Sequence, residues 1–450
     1  MKSTVIPDLH CQVSSATDAK SKAELLNSFF AAQTVLPGSE TANPDISSVA
    51  IHPEQFSSIH CTPAKVFDIL KGLDVRKASG LDGLTPRLLR ECAPGISASL
   101  AAFFNRSFSA GQFPSAWKEA LVIPVFKKGD QHLPGNYRPI SLLSVVSKVM
   151  EKVVHTKLSK FLSPYMSPFQ SGFKAGDGTT LPLTCIVQKW CEAVDQSSYV
   201  GAVFLDLKKA FDRVWHRGLL ARLERAGVCG SALKWFSSYL RQRHQVVAVD
   251  GLLSGYADLH AGVPQGAILS PLLFSLYMND IPQPTASSTS EVNLFADDTS
   301  LYVTATSASA LSKRMQQAID NVSAWFSKWL LTVNCAKSAV MIYGSSKMRP
   351  VAAHVHLNQT ALPQVSSHRH LGLVLHETLS WSAHVDSVVT KTSQRLGFLH
   401  RLRSQLSQVV LRDLYVTCIR PVIEYASVVW SGLSKTDASR LERLNDVLPA

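Results

Sequence analysis

The sequence contains 450 residues, of which 46% are hydrophobic and 17% charged, a composition that is typical of a globular protein and excludes a disordered one. Its net charge of +12 favours an anionic partner, with nucleic acid first, although a solubilising surface charge would explain it equally well. No apolar run approaches the roughly 20 residues of a membrane span, no signal-peptide pattern opens the chain, and the eight cysteines form no C-x-x-C pair. We therefore expect an intracellular protein without membrane contact, zinc site or disulfide framework.

The first 60 residues are predicted to form an N-terminal extension. One amphipathic helix is expected over residues 18–35, followed by a linker rich in proline, glycine and serine up to about Pro53. A further helix should begin at Pro63, because Thr62 is a favoured N-cap and proline suits the first helical position.

Strands and helices alternate between about residues 200 and 345, without the regular spacing of βαβ units. The pattern predicts strands over Tyr199–Leu205 and Ala339–Tyr343, hairpins over residues 245–260 and 291–303, and helices over residues 209–226, 268–281 and 311–329. An α+β fold with a small antiparallel sheet backed by helices suits this order best. After about residue 380 the pattern is helical and basic, with these cations: Lys391, Arg395, Arg401, Arg403, Arg412 and Arg420.

Two adjacent acids, Asp297 and Asp298, follow a predicted buried strand. A tight turn before the return strand would bring both carboxylates to one point, where a cation such as Mg²⁺ offsets their repulsion. Asp206 closes the apolar strand Tyr199–Leu205, a position that is costly for an acid in a core and natural at the rim of a sheet. If the two strands are neighbours, Asp206 and Asp297 can hold two Mg²⁺ ions for nucleotidyl transfer.

These segments resemble the first and third palm motifs of reverse transcriptases, most closely those of non-LTR (LINE-type) retrotransposons of the jockey or CR1 side. The first motif is Phe204-Leu205-Asp206-Leu207-Lys208-Lys209-Ala210-Phe211-Asp212, and the third is Phe295-Ala296-Asp297-Asp298. Other motifs of the family follow in its order: Asn136-Tyr137-Arg138-Pro139-Ile140-Ser141-Leu142, Gln170-Ser171-Gly172-Phe173, Gly262-Val263-Pro264-Gln265-Gly266, Leu331-Thr332-Val333-Asn334 with Lys337, and His370-Leu371-Gly372. A lone Asp-Asp pair is a weak signal, whereas this ordered series, from about residue 73 to 430, is a strong one.

The resemblance implies that the acids are catalytic metal ligands. Asp206 and Asp297 would be the main ligands of two Mg²⁺ ions, with Mn²⁺ as a substitute. Asp298 is the weaker third candidate, since an acid of the turn or outside the ligand set would look the same. His368 and His370 lack a further ligand at suitable spacing, so we expect surface histidines at a strand edge.

Two residues are implied to contact the sugar or base of the nucleotide. Phe211 would lie beneath the sugar and exclude a 2′-hydroxyl, with core packing as the alternative. Gln265 would position the nucleotide through its amide, with an ordinary turn as the alternative. Asp212 is expected to cap the helix or form an ion pair locally.

Basic side chains are implied to contact the triphosphate. Arg138 would offer a bidentate fork to its oxygens. Lys127 or Lys128 would add a second cation, and the doublet leaves the choice open. Lys337 would protonate the leaving pyrophosphate as a general acid.

The sequence therefore predicts a right-hand polymerase with an extension (residues 1–60), fingers (61–200), palm (201–375) and a partial, truncated thumb (376–450). The predicted activity is RNA-directed DNA synthesis, which extends a DNA primer with dNTPs on an RNA template. One alternative is a truncated relic that binds nucleic acid without activity, because no stretch before residue 60 has room for an endonuclease domain. Another is a maturase-like reverse transcriptase of group II introns.

Overall fold

The structure, a computed structural model, describes residues 6–11, 14–44, 46, 51–174, 176–282, 290–344 and 352–445. They belong to two compact units, each assembled from several stretches of the chain. The first unit draws its residues from 1–167, 208–280 and 326–332, and the second from 168–207, 281–325 and 333–450. No helix within the described residues is long and apolar enough to cross a membrane.

The first unit combines helices with a mixed sheet. Its helices are α1 (Ala19–Gln33), α2 (Pro63–Lys71), α3 (Pro86–Glu91), α4 (Ala93–Ala110), α5 (Val145–Leu162), α7 (His216–Arg225), α8 (Gly230–Leu240) and α9 (Ser270–Tyr277). Its strands are β1 (Leu9–Cys11), β2 (Ser14–Ala16), β3 (Glu119–Phe126), β4 (Tyr137–Leu142), β6 (Arg243–Val249), β7 (Leu252–Leu253) and β8 (Ala257–Leu259). The main sheet has the order β4-β3-β6-β7, with β8 also paired to β6, and β3 and β6 run parallel.

The predicted N-terminal helix forms as α1 and packs into the core of the first unit. Its N-cap is Asp18, whose side chain accepts a hydrogen bond from the backbone N–H of Ser21. Leu26 and Phe30 are buried in one cluster with Val247 of β6. Part of the segment predicted as an extension therefore contributes to the core of this unit.

Two local predictions in the first unit are confirmed. Helix α2 begins at Pro63, and the Thr62 side chain accepts a hydrogen bond from the N–H of Lys65. Asp250 and Gly251 form the turn after β6 with φ values of 47° and 84°, the positive values that two-residue hairpin loops favour. Both signals depend on neighbouring residues alone.

The second unit contains the remaining elements. Its helices are α6 (Thr180–Asp195), most of α10 (Ala308–Lys328), α11 (Ser382–Arg401), α12 (Gln408–Leu414), α13 (Arg420–Glu424) and α14 (Lys435–Asn445). Its strands are β5 (Tyr199–Leu205), β9 (Ser290–Phe295), β10 (Asp298–Ala305), β11 (Ala339–Tyr343), β12 (His356–Leu357), β13 (Thr360–Ala361), β14 (Ser367–His370) and β15 (Leu373–His376). The helical character predicted after about residue 380 is confirmed.

Four antiparallel strands in the order β11-β5-β10-β9 form the sheet that carries the predicted acids. On one face of β5, Ala202 and Phe204 pack in a cluster that includes Trp190 of α6. On the other face, Gly201 lies against Met315 of α10, where an added Cβ would come within 2.2 Å of the sulfur atom. Helices thus cover both faces of the sheet, and the predicted α+β class is confirmed.

The helix predicted over residues 209–226 is wrong in its first part. A 3₁₀ turn covers Ala210–Arg213, and α7 begins only at His216. Between them the carbonyl oxygen of Val214 accepts a hydrogen bond from the N–H of Gly262 at 2.8 Å, a partner that helical periodicity cannot reveal. Helix α9 is likewise shorter than the helix predicted over residues 268–281.

Candidate active site

Asp206 lies directly after β5, at one end of the antiparallel sheet. Its N–H donates a hydrogen bond to Ser338 Oγ at 3.2 Å, and its carbonyl oxygen accepts one from the N–H of Asn334 at 2.7 Å. The Asp206 side chain is half-buried, whereas Leu205 before it is buried. The predicted acid therefore lies at an accessible strand end whose backbone is fixed on both sides.

Asp297 lies in a two-residue loop between β9 and β10. Asp298 pairs with Phe295 and is the first residue of β10, so the loop consists of Ala296 and Asp297. Ala296 has a φ of 59°, and positive φ at the first loop position is common in hairpins of this length. Both aspartates are exposed. The expectation that both lie in the turn is thus corrected for Asp298, which belongs to the strand.

The strand register brings the three acids to one end of the sheet. Thr299 of β10 pairs with Leu205 of β5 in antiparallel orientation. One residue further in the same register, Asp206 lies level with Asp298, and Asp297 is in the adjoining loop. The two strands are neighbours, which meets the condition that the sequence analysis set for pairing Asp206 with Asp297. The register supports Asp298 as a metal ligand as strongly as Asp297.

Carboxylate oxygens at this strand end suit a hard divalent ion such as Mg²⁺. Among the residues that the structure describes, no three or more His, Cys, Asp or Glu side chains are arranged to hold a metal ion by themselves. Mg²⁺ does not require such a cage, because one or two carboxylates commonly bind it together with waters and substrate phosphates. The acids present therefore fit an ion that is shared with a bound triphosphate.

Gln170 supports the aspartate loop, a role that was not predicted. Its side chain is 3% exposed, and Oε1 accepts hydrogen bonds from the N–H of Gly172 at 2.9 Å and of Ala296 at 3.2 Å. Gly172 fits closely against the same loop, since an added Cβ would lie 2.1 Å from the backbone nitrogen of Ala296. The only signal for these roles in the sequence is the Gln-Ser-Gly-Phe motif itself.

In the first unit, Gln265 lies in the glycine-containing loop between β8 and α9. Its carbonyl oxygen accepts a hydrogen bond from the N–H of Ser141 at 2.8 Å, and its Nε2 donates one to Asp212 Oδ1 at 2.8 Å. Gly266 has a φ of 134°, and an added Cβ would lie 2.4 Å from the Ser141 oxygen, so this position requires glycine. Asp212 thus binds the loop, which corrects the predicted local cap or ion pair.

Phe211 is half-buried and stacks on Phe274 of α9, with ring centroids 4.5 Å apart and planes at 18°. Burial raises the pKa of the neighbouring Asp212 carboxyl, against the opposing effects of the Gln265 hydrogen bond and the Lys209 charge. The ring contact packs this 3₁₀ turn against α9 of the first unit.

Arg138 and Lys127 lie at one end of the β3–β4 hairpin. Arg138 is exposed and pairs with Val125, and the pairing continues beyond β3, where the N–H of Lys127 donates to the carbonyl oxygen of Asn136 at 2.9 Å. Because side chains alternate along a strand, Lys127 and Arg138 share one face of the hairpin. The ladder thus favours Lys127 over Lys128 as the second cation.

The prediction of surface histidines is wrong for His370. This residue is 6% exposed, and its ring packs 5.1 Å from that of Phe204, on which His368 also stacks at 4.1 Å. Burial, with a smaller contribution from His368, lowers the pKa of His370 to about 3. These ring contacts anchor the β14–β15 hairpin to β5, the strand that Asp206 follows.

The predicted site residues are divided between the two units. The second unit contains Asp206, Asp297, Asp298 and Lys337, and the first contains Arg138, Lys127, Phe211 and Gln265. Lys337 is exposed in the loop before β11, where its N–H donates to the carbonyl oxygen of Asn334 at 3.0 Å. The role of each side chain toward a nucleotide stays a prediction.

Comparison with known proteins identifies the family to which this chain belongs. Residues 125–375 match the family described as reverse transcriptase (RNA-dependent DNA polymerase). The match covers more than half of the chain, and the chain belongs to this family.

Similar curated proteins place the chain more narrowly. It is 29% identical to a probable RNA-directed DNA polymerase from transposon BS and 30% identical to that from mobile element jockey, both of Drosophila melanogaster. Each similarity covers 85% of this chain and 43% of the relative, so the chain spans less than half the length of these proteins. These relatives confirm the predicted place among reverse transcriptases of non-LTR retrotransposons. Apo telomerase of Candida tropicalis, truncated from its C-terminal domain, is 13% identical with a TM-score of 0.39 over 64% of this chain and 59% of that one, too low to bear on the fold.

Proposed function

We propose that this chain is the polymerase portion of a non-LTR retrotransposon reverse transcriptase. It extends the 3′-hydroxyl of a DNA primer with dNMPs from dNTPs on an RNA template and releases pyrophosphate. The observation that carries the proposal is the meeting of Asp206 with Asp297 and Asp298 at one end of two neighbouring strands. Because the chain belongs to the reverse transcriptase family, we interpret this arrangement as a metal site for nucleotidyl transfer.

In this proposal Asp206 and Asp297 are the main Mg²⁺ ligands, and Asp298 adds a further carboxylate. Two bound ions, with Mn²⁺ as a substitute, would lower the pKa of the attacking hydroxyl and neutralise charge on the leaving phosphates. The protein supplies carboxylates whose backbones are already fixed, one by Ser338 and the other through the loop that Gln170 holds. Such rigidity matters because misplacement by about 1 Å can cost on the order of a hundredfold in rate.

The nucleotide contacts follow from the chemistry of the remaining side chains. The exposed Arg138 guanidinium binds triphosphate oxygens in a fork, and Lys127 on the same face adds a second positive charge. Phe211 limits the space beneath the sugar and so selects dNTPs, while the Gln265 amide forms a hydrogen bond with the nucleotide. Lys337 protonates the leaving pyrophosphate.

We assign fingers to residues 61–200, palm to residues 201–375 and thumb to residues 376–450, and of the N-terminal residues 1–60 helix α1 packs into the core of the first unit. The six basic side chains between residues 391 and 420 are all exposed and would contact phosphates of the template–primer duplex. Phosphate contacts of this kind position a duplex without selecting its sequence.

The proposal is tested with the purified chain on a poly(rA)/oligo(dT) duplex. We expect incorporation of dTMP that is lost with EDTA and restored by Mg²⁺. A binding assay with the same duplex runs in parallel. Binding without incorporation in either Mg²⁺ or Mn²⁺ would contradict the polymerase and support the nucleic-acid-binding relic.

A further inference from the structure

The loop that carries Gln265 is held at both ends without help from the Gln265 side chain. At its start the N–H groups of Gly262 and Val263 donate to the carbonyl oxygens of Val214 and Phe211 at 2.8 and 2.9 Å. In its middle the Gln265 carbonyl oxygen accepts a hydrogen bond from the N–H of Ser141 at 2.8 Å. These backbone contacts alone fix the path of the chain from Gly262 to Gln265.

The far end of the loop is fixed by a buried acid. Helix α9 has no N-cap side chain of its own. Instead Glu151 of α5, which is fully buried, accepts hydrogen bonds through Oε2 from the N–H groups of Ile268 and Leu269 at 2.8 and 3.2 Å. The loop therefore enters α9 in a set position, and the contact between Gln265 and Asp212 is not required to hold it.

What the Asp212 contact does determine is the orientation of the Gln265 amide. Asp212 Oδ1 accepts the hydrogen bond from the amide nitrogen of Gln265 at 2.8 Å, so the carbonyl oxygen of the same amide faces away from Asp212. Without Asp212 the two ends of an amide have nearly the same shape and could exchange places. The acid thus selects which chemical group Gln265 presents outward.

We propose that Asp212 is a positioning residue, which presents the Oε1 atom of Gln265 as a hydrogen-bond acceptor to the incoming nucleotide. This inference rests on the proposed function and extends it to a residue that acts through its hydrogen bond with Gln265. It makes the Asp212–Gln265 pair one functional unit, in which the polarity of the bond matters and its strength as a structural link does not.

The test exchanges the polarity of the pair. In Asp212→Asn the amide of Gln265 is free to turn, and we expect kcat/KM for dTTP on poly(rA)/oligo(dT) to fall about tenfold, mainly through KM. In Gln265→Glu alone two carboxylates face each other, and kcat/KM for dTTP should fall further. In the double variant Asp212→Asn/Gln265→Glu the asparagine nitrogen donates to the glutamate, an acceptor again faces outward, and activity should recover to near that of the parent.

Asp68→Asn changes an exposed acid of α2 and serves as the control, which should leave kcat and KM for dTTP unchanged. Two results would overturn the inference: an Asp212→Asn variant with the parent's KM, or a double variant that is as weak as the product of the single ones. A lower melting temperature with an unchanged KM would show a structural role only.

A second readout does not need activity. In protein labelled with ¹⁵N-glutamine, the Gln265 side-chain amide is identified by its absence in Gln265→Glu, and its protons should exchange with solvent much faster in Asp212→Asn. Equal exchange in the two proteins would overturn the assigned orientation. Primer extension by the parent tests the proposed function separately, so the two failures are distinguishable.

Discussion

At the scale of single residues, the position of Asp297 depends on a buried amide far away in sequence. Gln170 Oε1 holds the N–H of Ala296, the residue before Asp297, across a separation of 126 residues. The other end of the amide, Nε2, is buried without a hydrogen-bond partner among the described residues. The amide therefore acts on the aspartate loop through its oxygen atom.

We predict that Gln170→Met lowers kcat in primer extension roughly tenfold when measured well below the melting temperature, which should itself fall because the N–H groups of Gly172 and Ala296 lose their acceptor. Methionine is similar in size and removes both the useful acceptor and the unmet donor, and the freed loop would spend less time in the reactive position. Gln188→Ala, an exposed glutamine of α6, is the matched control. A Gln170→Met enzyme that extends primers at the parent's rate would contradict this role.

The positions of the acids could be predicted from the sequence, whereas the residues that hold the site in place could not. Asp206 and Asp297 each follow a strong apolar strand pattern, and strands of this kind end at a sheet rim. Gln170 and Asp212 contact partners far along the chain, and only the folded sheet and loop bring those partners close. Local patterns contain no information on such pairs.

At the scale of elements, the β14–β15 hairpin depends on buried, uncharged histidine. The pKa of His370 is lowered to about 3 in the folded protein, below the ordinary value of 6.5. As pH falls below 6.5 the unfolded chain takes up a proton that folded His370 does not, so the unfolding free energy decreases from about pH 6.5 towards pH 3. His384 and His216, both lowered to about 4, act in the same direction.

We predict that His370→Phe makes the urea midpoint less sensitive to pH between 7 and 5. The parent should lose about 1–2 kcal/mol through this residue over that range, since each pH unit below 6.5 is worth at most about 1.4 kcal/mol. The variant cannot take up this proton in either state. His400→Phe on the exposed side of α11 should keep the parent's pH dependence. An equal loss in His370→Phe and the parent would show that His370 does not titrate on unfolding.

The elements themselves were predictable where local signals decide them. Continuous apolar residues define β5 and β11, and the recurring apolar positions of residues 311–329 predict α10. The helix predicted over residues 209–226 failed because backbone groups of the loop at Gly262 compete for its carbonyl oxygens. The burial of His370 was missed because its partner, Phe204, lies on another strand.

At the scale of the whole molecule, the net charge of +12 predicts that duplex binding weakens steeply with salt. Arg401 and Arg403, both exposed, should each contribute one phosphate contact. In Arg401→Ala/Arg403→Ala the slope of log K against log salt should decrease by about 2, irrespective of duplex sequence. Lys313→Ala, an exposed lysine of α10, should leave the slope unchanged. An unaltered slope in the double variant would remove these arginines from the duplex contact.

We propose that the acids at the end of β5 and β10 perform nucleotidyl transfer. The most direct test of this role is primer extension on poly(rA)/oligo(dT) by the parent, Asp206→Asn and Asp297→Asn, with duplex binding measured in parallel. The control is Asp195→Asn, which changes an exposed acid at the end of α6. We predict that Asp206→Asn and Asp297→Asn each reduce extension by about a thousandfold or more while still binding the duplex, and that Asp195→Asn matches the parent. Unreduced extension by Asp206→Asn or Asp297→Asn would contradict the claim.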